Sequence, residues 1–104
     1  MRNVLTKRIY NELELLSRHI RVLEVVIKKQ PVGIIRISQI LGIGEHEVRN
    51  SLSTLEENGF IRPTPNGAVV NSKLKSELLE LAEQLGDIEN IVKILKNQTL
   101  KLVV

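Results

Sequence analysis

Ile40-Leu41-Gly42-Ile43-Gly44-Glu45-His46-Glu47-Val48-Arg49-Asn50-Ser51-Leu52, running on through Leu55-Glu56-Glu57-Asn58-Gly59-Phe60-Ile61, is the stretch that decides the fold. It opens on the end of a short apolar-periodic segment, Ile37, Ile40 and Leu41, too short to stand without packed neighbours. Gly42-Ile43-Gly44 breaks that segment. Helical period then returns over residues 45–58, with Val48, Leu52 and Leu55 on one face at spacings of four and three. Gly44 is an acceptable N-cap, and Glu47 at the third helical position can bond back to its amide, half of a capping box. Glu45 complements the positive helix end, and Gly59 supplies a stop. With Val48, Leu52 and Leu55 inward, His46, Arg49, Asn50, Ser53 and Glu57 face outward.

Downstream, Phe60-Ile61-Arg62 reads as a short strand and Ala68-Val69-Val70 as its return. Between them Pro63-Thr64-Pro65-Asn66-Gly67 is dense in turn residues, and Asn-Gly can take the positive φ values of a tight hairpin. Helix, tight turn, helix, hairpin is a helix-turn-helix with a β-wing. Its short turn forces the two helices to cross steeply and leaves one face of the second helix free for a major groove.

Upstream, residues 1–30 read as one long helix, with a break near Ser17 left open because serine can cap a new start. Ile9, Leu13, Leu16, Ile20, Leu23 and Ile27 recur at alternating spacings of four and three, a heptad seam. Val22, Val25 and Val26 widen the stripe, so the second half is expected to face both its own core and a neighbouring helix. Pro31 ends the helix. After the wing, Asn71 or Ser72 can cap a last helical region in which Leu74, Leu78, Leu81, Leu85, Ile88, Val92 and Leu95 keep heptad phase. Gly86 is either a tolerated glycine in one long helix or the joint between two. The tail from residue 97 shows no clear pattern. The expected fold is mainly α with a small β-hairpin: one winged-helix domain over residues 1–104. It comprises an N-terminal helix (1–30), the helix-turn-helix and wing (31–70), and a C-terminal dimerisation helix or helices (71–97). A core this small cannot easily cover every long seam. Ile9, Leu13 and Leu16, with Leu74, Leu78, Leu81, Leu85, Ile88, Val92 and Leu95, are therefore the expected homodimer contacts.

Composition narrows the chemistry. With no cysteine, disulfides, zinc fingers and thiolate nucleophiles are excluded. Aromatics make up 2%, Tyr10 and Phe60, which argues against base-stacking platforms for single strands or RNA. No stretch approaches the length of a membrane span, and the N-terminus has no signal-peptide pattern, so a cytoplasmic location without a membrane partner is expected. There is no phosphate-binding glycine loop, nucleophile elbow or acid–base pair; no catalytic residue, cofactor or metal is expected. His19 is expected at the surface or an interface, and His46 facing solvent or DNA.

The quoted stretch resembles the helix-turn-helix of winged-helix transcriptional regulators. Its phrase of leucine, glycine, isoleucine, a small residue, three residues and valine closes on leucine, charged and polar residues, glycine, an aromatic and isoleucine. The likeness covers about residues 31–70, and in layout it is similar to MarR-like and PadR-like groups and above all to small archaeal predicted regulators. The resemblance implies a sequence-specific regulator that binds double-stranded DNA as a homodimer, with the second helix reading bases through His46, Arg49, Asn50 and Ser53. Arg49 would pair a guanine and Asn50 an adenine. Arg36 and Gln39 on the first helix would sit near phosphates, and Arg62 on the wing would reach a minor groove or phosphates.

The charge distribution departs from the pattern. The net charge is +3, but residues 1–30 hold seven basic and three acidic side chains, whereas residues 31–70 hold three basic and four acidic. Glu45, Glu47, Glu56 and Glu57 accompany a single Arg49 on the reading helix, and the wing carries only Arg62. Non-specific DNA affinity comes mainly from neutralised phosphates, so this unit alone binds weakly. The alternative is a winged-helix protein–protein interaction module without base readout. A small-molecule effector is left open, since the sequence names no ligand.

Overall fold

A computed structural model describes residues 4–104; Arg2, counted above with the basic first helix, lies outside them. The order is α1 (Val4–Lys29), α2 (Ile34–Leu41), α3 (Glu45–Glu57), β1 (Ile61–Thr64), β2 (Gly67–Val70) and α4 (Leu74–Lys101). These are the elements of a winged helix-turn-helix flanked by long helices. The chain divides into two compact units, residues 4–74 and 75–104.

In the first unit α1 runs unbroken through Ser17. Its apolar residues separate onto two faces. Val22, Leu23, Val25 and Val26 enter the core, Val22 and Val26 with no exposure at all, whereas Ile20 and Ile27 stay 40% exposed and Ile9 53%. The core face is therefore centred on the valines rather than on the heptad seam. Leu16 and Leu23, at the seam's margin, are half-buried and buried. From α2 only Ile37 is fully buried. Val48, Leu52 and Leu55 face the core from α3 as their spacing predicts, and Ser51 joins them with no exposure.

The turn between α2 and α3 is held locally. Gly42 takes the left-handed conformation (φ 66°), which costs glycine little, and its N–H donates to the Ser38 carbonyl at 2.8 Å. The Ser38 hydroxyl then donates to the Ile43 carbonyl at 2.6 Å, tying the last turn of α2 across the break. Glu47 Oε1 accepts from the Gly44 N–H at 3.3 Å, the expected half of the capping box.

The wing pairs Ile61 with Val70 through Thr64 with Gly67, antiparallel. The loop residues are thus Pro65 and Asn66, one position earlier than an Asn-Gly turn requires. Pro65 holds a negative φ at the first loop position, and only Gly67, at φ 124°, is positive among the wing residues. The Thr64 side chain closes the loop, donating to the Gly67 carbonyl at 2.6 Å and accepting from the Asn66 N–H at 3.2 Å. A feature outside the sequence reading is a third short edge. Val32 and Ala68 exchange backbone hydrogen bonds at 3.1 and 2.8 Å. Beside it the Gln30 side chain accepts from the Val70 N–H at 2.9 Å, so the end of α1 is stitched to the wing.

Asn71, rather than Ser72, organises the entry to α4, its side-chain oxygen accepting from the Lys73 N–H at 3.0 Å. Leu74 packs against the core of the first unit. In the second unit α4 is one helix. It passes Gly86 without a joint and continues to Lys101, beyond residue 97 where the sequence pattern fades.

Candidate nucleic-acid interface

The outer surface of α3 has two flanks. One faces the wing. Arg49, Ser53 and Glu56 border an open cleft of about 480 Å³ whose other wall is Val32, Pro63 and Gly67. Arg49 and Ser53 are exposed, as is His46 one turn toward the helix start. Among the described residues no hydrogen bond or ion pair ties down the Arg49 guanidinium. Arg36 and Gln39 on α2 and Arg62 on β1 are also exposed. The sequence-derived set thus stands on the solvent side of the winged unit, with the exception that follows.

The other flank of α3 faces α1, and a polar cluster joins the two helices. Arg18 Nε donates to Ser51 Oγ at 3.0 Å, and Arg18 Nη2 donates to Asn50 Oδ1 at 2.7 Å. Arg18 Nη1 stands 3.6 Å from Glu47 Oε2, and His19 Nδ1 lies 2.8 Å from Ser51 Oγ. Ser51 accepts from Arg18 and shares a second hydrogen bond with His19 Nδ1, whose direction follows the imidazole's tautomer. Burial, and then the neighbouring Arg18 charge, hold the His19 pKa below its usual 6.5.

This cluster changes the standing of two residues. Asn50, expected to pair an adenine, has its carbonyl oxygen committed to Arg18. Reading adenine would take both the oxygen and the amino group of the amide, so that expected role would compete with the Arg18 hydrogen bond. His19, expected at the surface or an interface, is half-buried and belongs to the brace between α1 and α3. Sequence reasoning missed Arg18, His19 and Ser51 as a unit. The signal was present in Ser51, which lies three residues after Val48 and four before Leu55, at the spacing of the buried face.

The seam residues divide by unit. Ile9 and Leu13 are exposed on α1, and Leu16 is half-buried. On α4, Leu81 and Leu85 are half-buried, while Leu78, Ile88, Val92 and Leu95 are exposed, as are Ile91 and Ile94, which the heptad reading did not include. Leu74, expected in the dimer seam, is taken up at the edge of the chain's own core. Among the described residues no helix is long and apolar enough to cross a membrane, and no three His, Cys, Asp or Glu side chains are grouped to hold a metal ion.

Two short helices across a tight turn, braced by α1 and followed by a hairpin wing, define the class: a winged helix-turn-helix protein. A solved structure similar to it is the activation domain of the phage T4 transcription factor MotA. The TM-score is 0.52 and the identity 17%, over 74% of this chain and 81% of that one. At that identity the likeness is one of fold. No known family pattern and no curated protein matches the chain.

Proposed function

We propose that the protein is a sequence-specific regulator of transcription that binds double-stranded DNA as a homodimer through the outer face of α3. The observation that carries this reading is the presentation of that face. His46, Arg49 and Ser53 project from the first two thirds of a helix whose opposite side is locked into the core, and Arg49 is tied to nothing within the described residues. Arginine so placed can make a bidentate pair with guanine. Arg36 and Gln39, at the preceding helix, and Arg62, on the wing, would meet the backbone on either side. The exposed apolar residues of α4 support a second copy as partner, and two copies double the few phosphate contacts available to one.

A second reading, a winged-helix module that binds another protein, draws support from the α1-facing flank. The Asn50 side-chain oxygen is bonded to Arg18, and Glu45, Glu47, Glu56 and Glu57 leave α3 acidic. Selection from a random duplex library at moderate salt separates the two. The regulator reading expects enrichment of a two-fold symmetric site. Binding that is only weak, salt-sensitive and without sequence preference removes it in favour of the protein module.

A further inference from the structure

We infer that Arg18, on α1, sets the base specificity of Asn50 on α3: it holds the amide oxygen, so that Asn50 presents only donors and reads guanine rather than adenine. The inference deepens, and rests on, the DNA-reading role proposed above. The chemistry of the two side chains carries it. A guanidinium has N–H donors and no acceptor, so an amide that faces it does so with its oxygen. Arg18 Nη2 donates to Asn50 Oδ1 at 2.7 Å, and a hydrogen bond from a charged donor is roughly twice as strong as a neutral one. Arg18 is itself held on two further sides. Its Nε donates at 3.0 Å to Ser51 Oγ, a residue with no exposure, and its Nη1 stands 3.6 Å from Glu47 Oε2. The clamp on the Asn50 oxygen is therefore part of the brace between α1 and α3, and Arg18 is a positioning residue for the reading face.

What Asn50 has left to offer is its amino group. Asn50 is exposed in the part of α3 nearest the helix start, where a reading helix meets base edges. Among the described residues no acceptor holds its Nδ2. In the major groove adenine sets an acceptor, N7, beside a donor, the N6 amino group, whereas guanine sets two acceptors, N7 and O6, side by side. An amide with both ends free matches adenine. With its oxygen on Arg18, Asn50 would meet the adenine amino group donor to donor. Adenine asks for the oxygen and so competes with Arg18; guanine asks only for the amino group and leaves the Arg18 bond in place. Arg49, the preceding residue, also carries donors alone. The two neighbours therefore call for guanine at two separate base pairs, where the residue types by themselves call for one guanine and one adenine.

Sites are selected from a random duplex library with the full chain and with its Arg49→Ala, Asn50→Ala, Asn50→Asp and Arg18→Met variants, and the melting temperature of each is recorded. The pair that Asn50 reads is the one that loses its preference in Asn50→Ala and keeps it in Arg49→Ala. The parent should hold guanine there, favoured over adenine by about 5- to 150-fold, the span of one good base contact. Arg18→Met keeps an unbranched stem and removes every donor, so the freed oxygen should move the preference at that pair to adenine. Asn50→Asp keeps the bond to Arg18 and has no donor when ionised, so guanine should lose its advantage; this variant decides the matter if Arg18→Met does not fold. Any base other than guanine at that pair in the parent overturns the inference. So does guanine retained in folded Arg18→Met or in Asn50→Asp, or a selected site that Asn50→Ala leaves unchanged at every pair. All of these leave a DNA-binding regulator standing. A parent that enriches no sequence overturns the DNA-reading role itself.

Discussion

Gly67→Ala should unfold the wing from its root. Gly67 holds φ 124°, a region that side-chain-bearing residues enter at a cost of about 1–3 kcal/mol. The added methyl would also have nowhere to go. It would lie 2.7 Å from the Val32 carbonyl carbon and 2.8 Å from both its nitrogen and its oxygen. All three are backbone atoms, and Val32 is fixed by its two hydrogen bonds to Ala68. Relief therefore means losing that pair of bonds, at about 0.5–1.5 kcal/mol each. Strain and lost bonds together come to about 2–6 kcal/mol, a fall in melting temperature of at least about 8 °C for a domain of this size. Thermal unfolding followed by circular dichroism measures it, with Gly86→Ala as the companion. Gly86 has nothing within 4 Å of its would-be methyl and sits mid-helix, so that substitution should stabilise, by about 0.5–1 kcal/mol. A Gly67→Ala protein that melts within about 2 °C of the parent would refute the close approach of Val32 to the hairpin.

Other substitutions probe the core, the brace and the reading face. Leu52→Ala should cost about 2–5 kcal/mol of stability, read by denaturant unfolding; a neutral result would put the phase of α3 in error. Arg49→Ala should weaken specific DNA binding by about 1–3 kcal/mol with an unchanged melting temperature, and equal affinity in a fluorescence anisotropy titration removes it from the readout. The depressed His19 pKa gives a stability term that is fully present above about pH 6.5, where the ring is neutral folded or unfolded. It is lost as pH falls, because the unfolded chain takes up the proton first. Melting temperature should therefore decline below about pH 6.5 more steeply in the parent than in His19→Gln, and identical slopes would detach His19 from the brace.

The residues explain why part of this structure is legible in the sequence and part is not. Val48, Leu52 and Leu55 announced α3 because three apolar residues at spacings of four and three mark a single inward face. In α1 the two apolar sets run side by side, and spacing alone cannot say which one the core takes. The core took Val22 and Val26, which sit opposite α2 and α3, and left Ile20 and Ile27 outside. The hairpin turn slipped by one residue because Pro65 claims the first loop position ahead of Asn66. Val32 reads as connecting chain, since a single bridge residue has no period. The α1–α3 brace depends on residues more than thirty positions apart, such as Arg18 and Asn50, whose pairing no local pattern encodes. For that reason Asn50 reads only as an outward residue from its place on the helix, while its side-chain oxygen is bonded to Arg18.

The most direct test of the central claim is to record the amide spectrum of the isotope-labelled full chain as duplex DNA from the selection is added. The account predicts that shifts and broadening gather on residues 45–53, on residues 36–39 and on the wing from Arg62 to Gly67. DNA that leaves those amides untouched, or perturbs only α1 and α4, would contradict a reading face on α3.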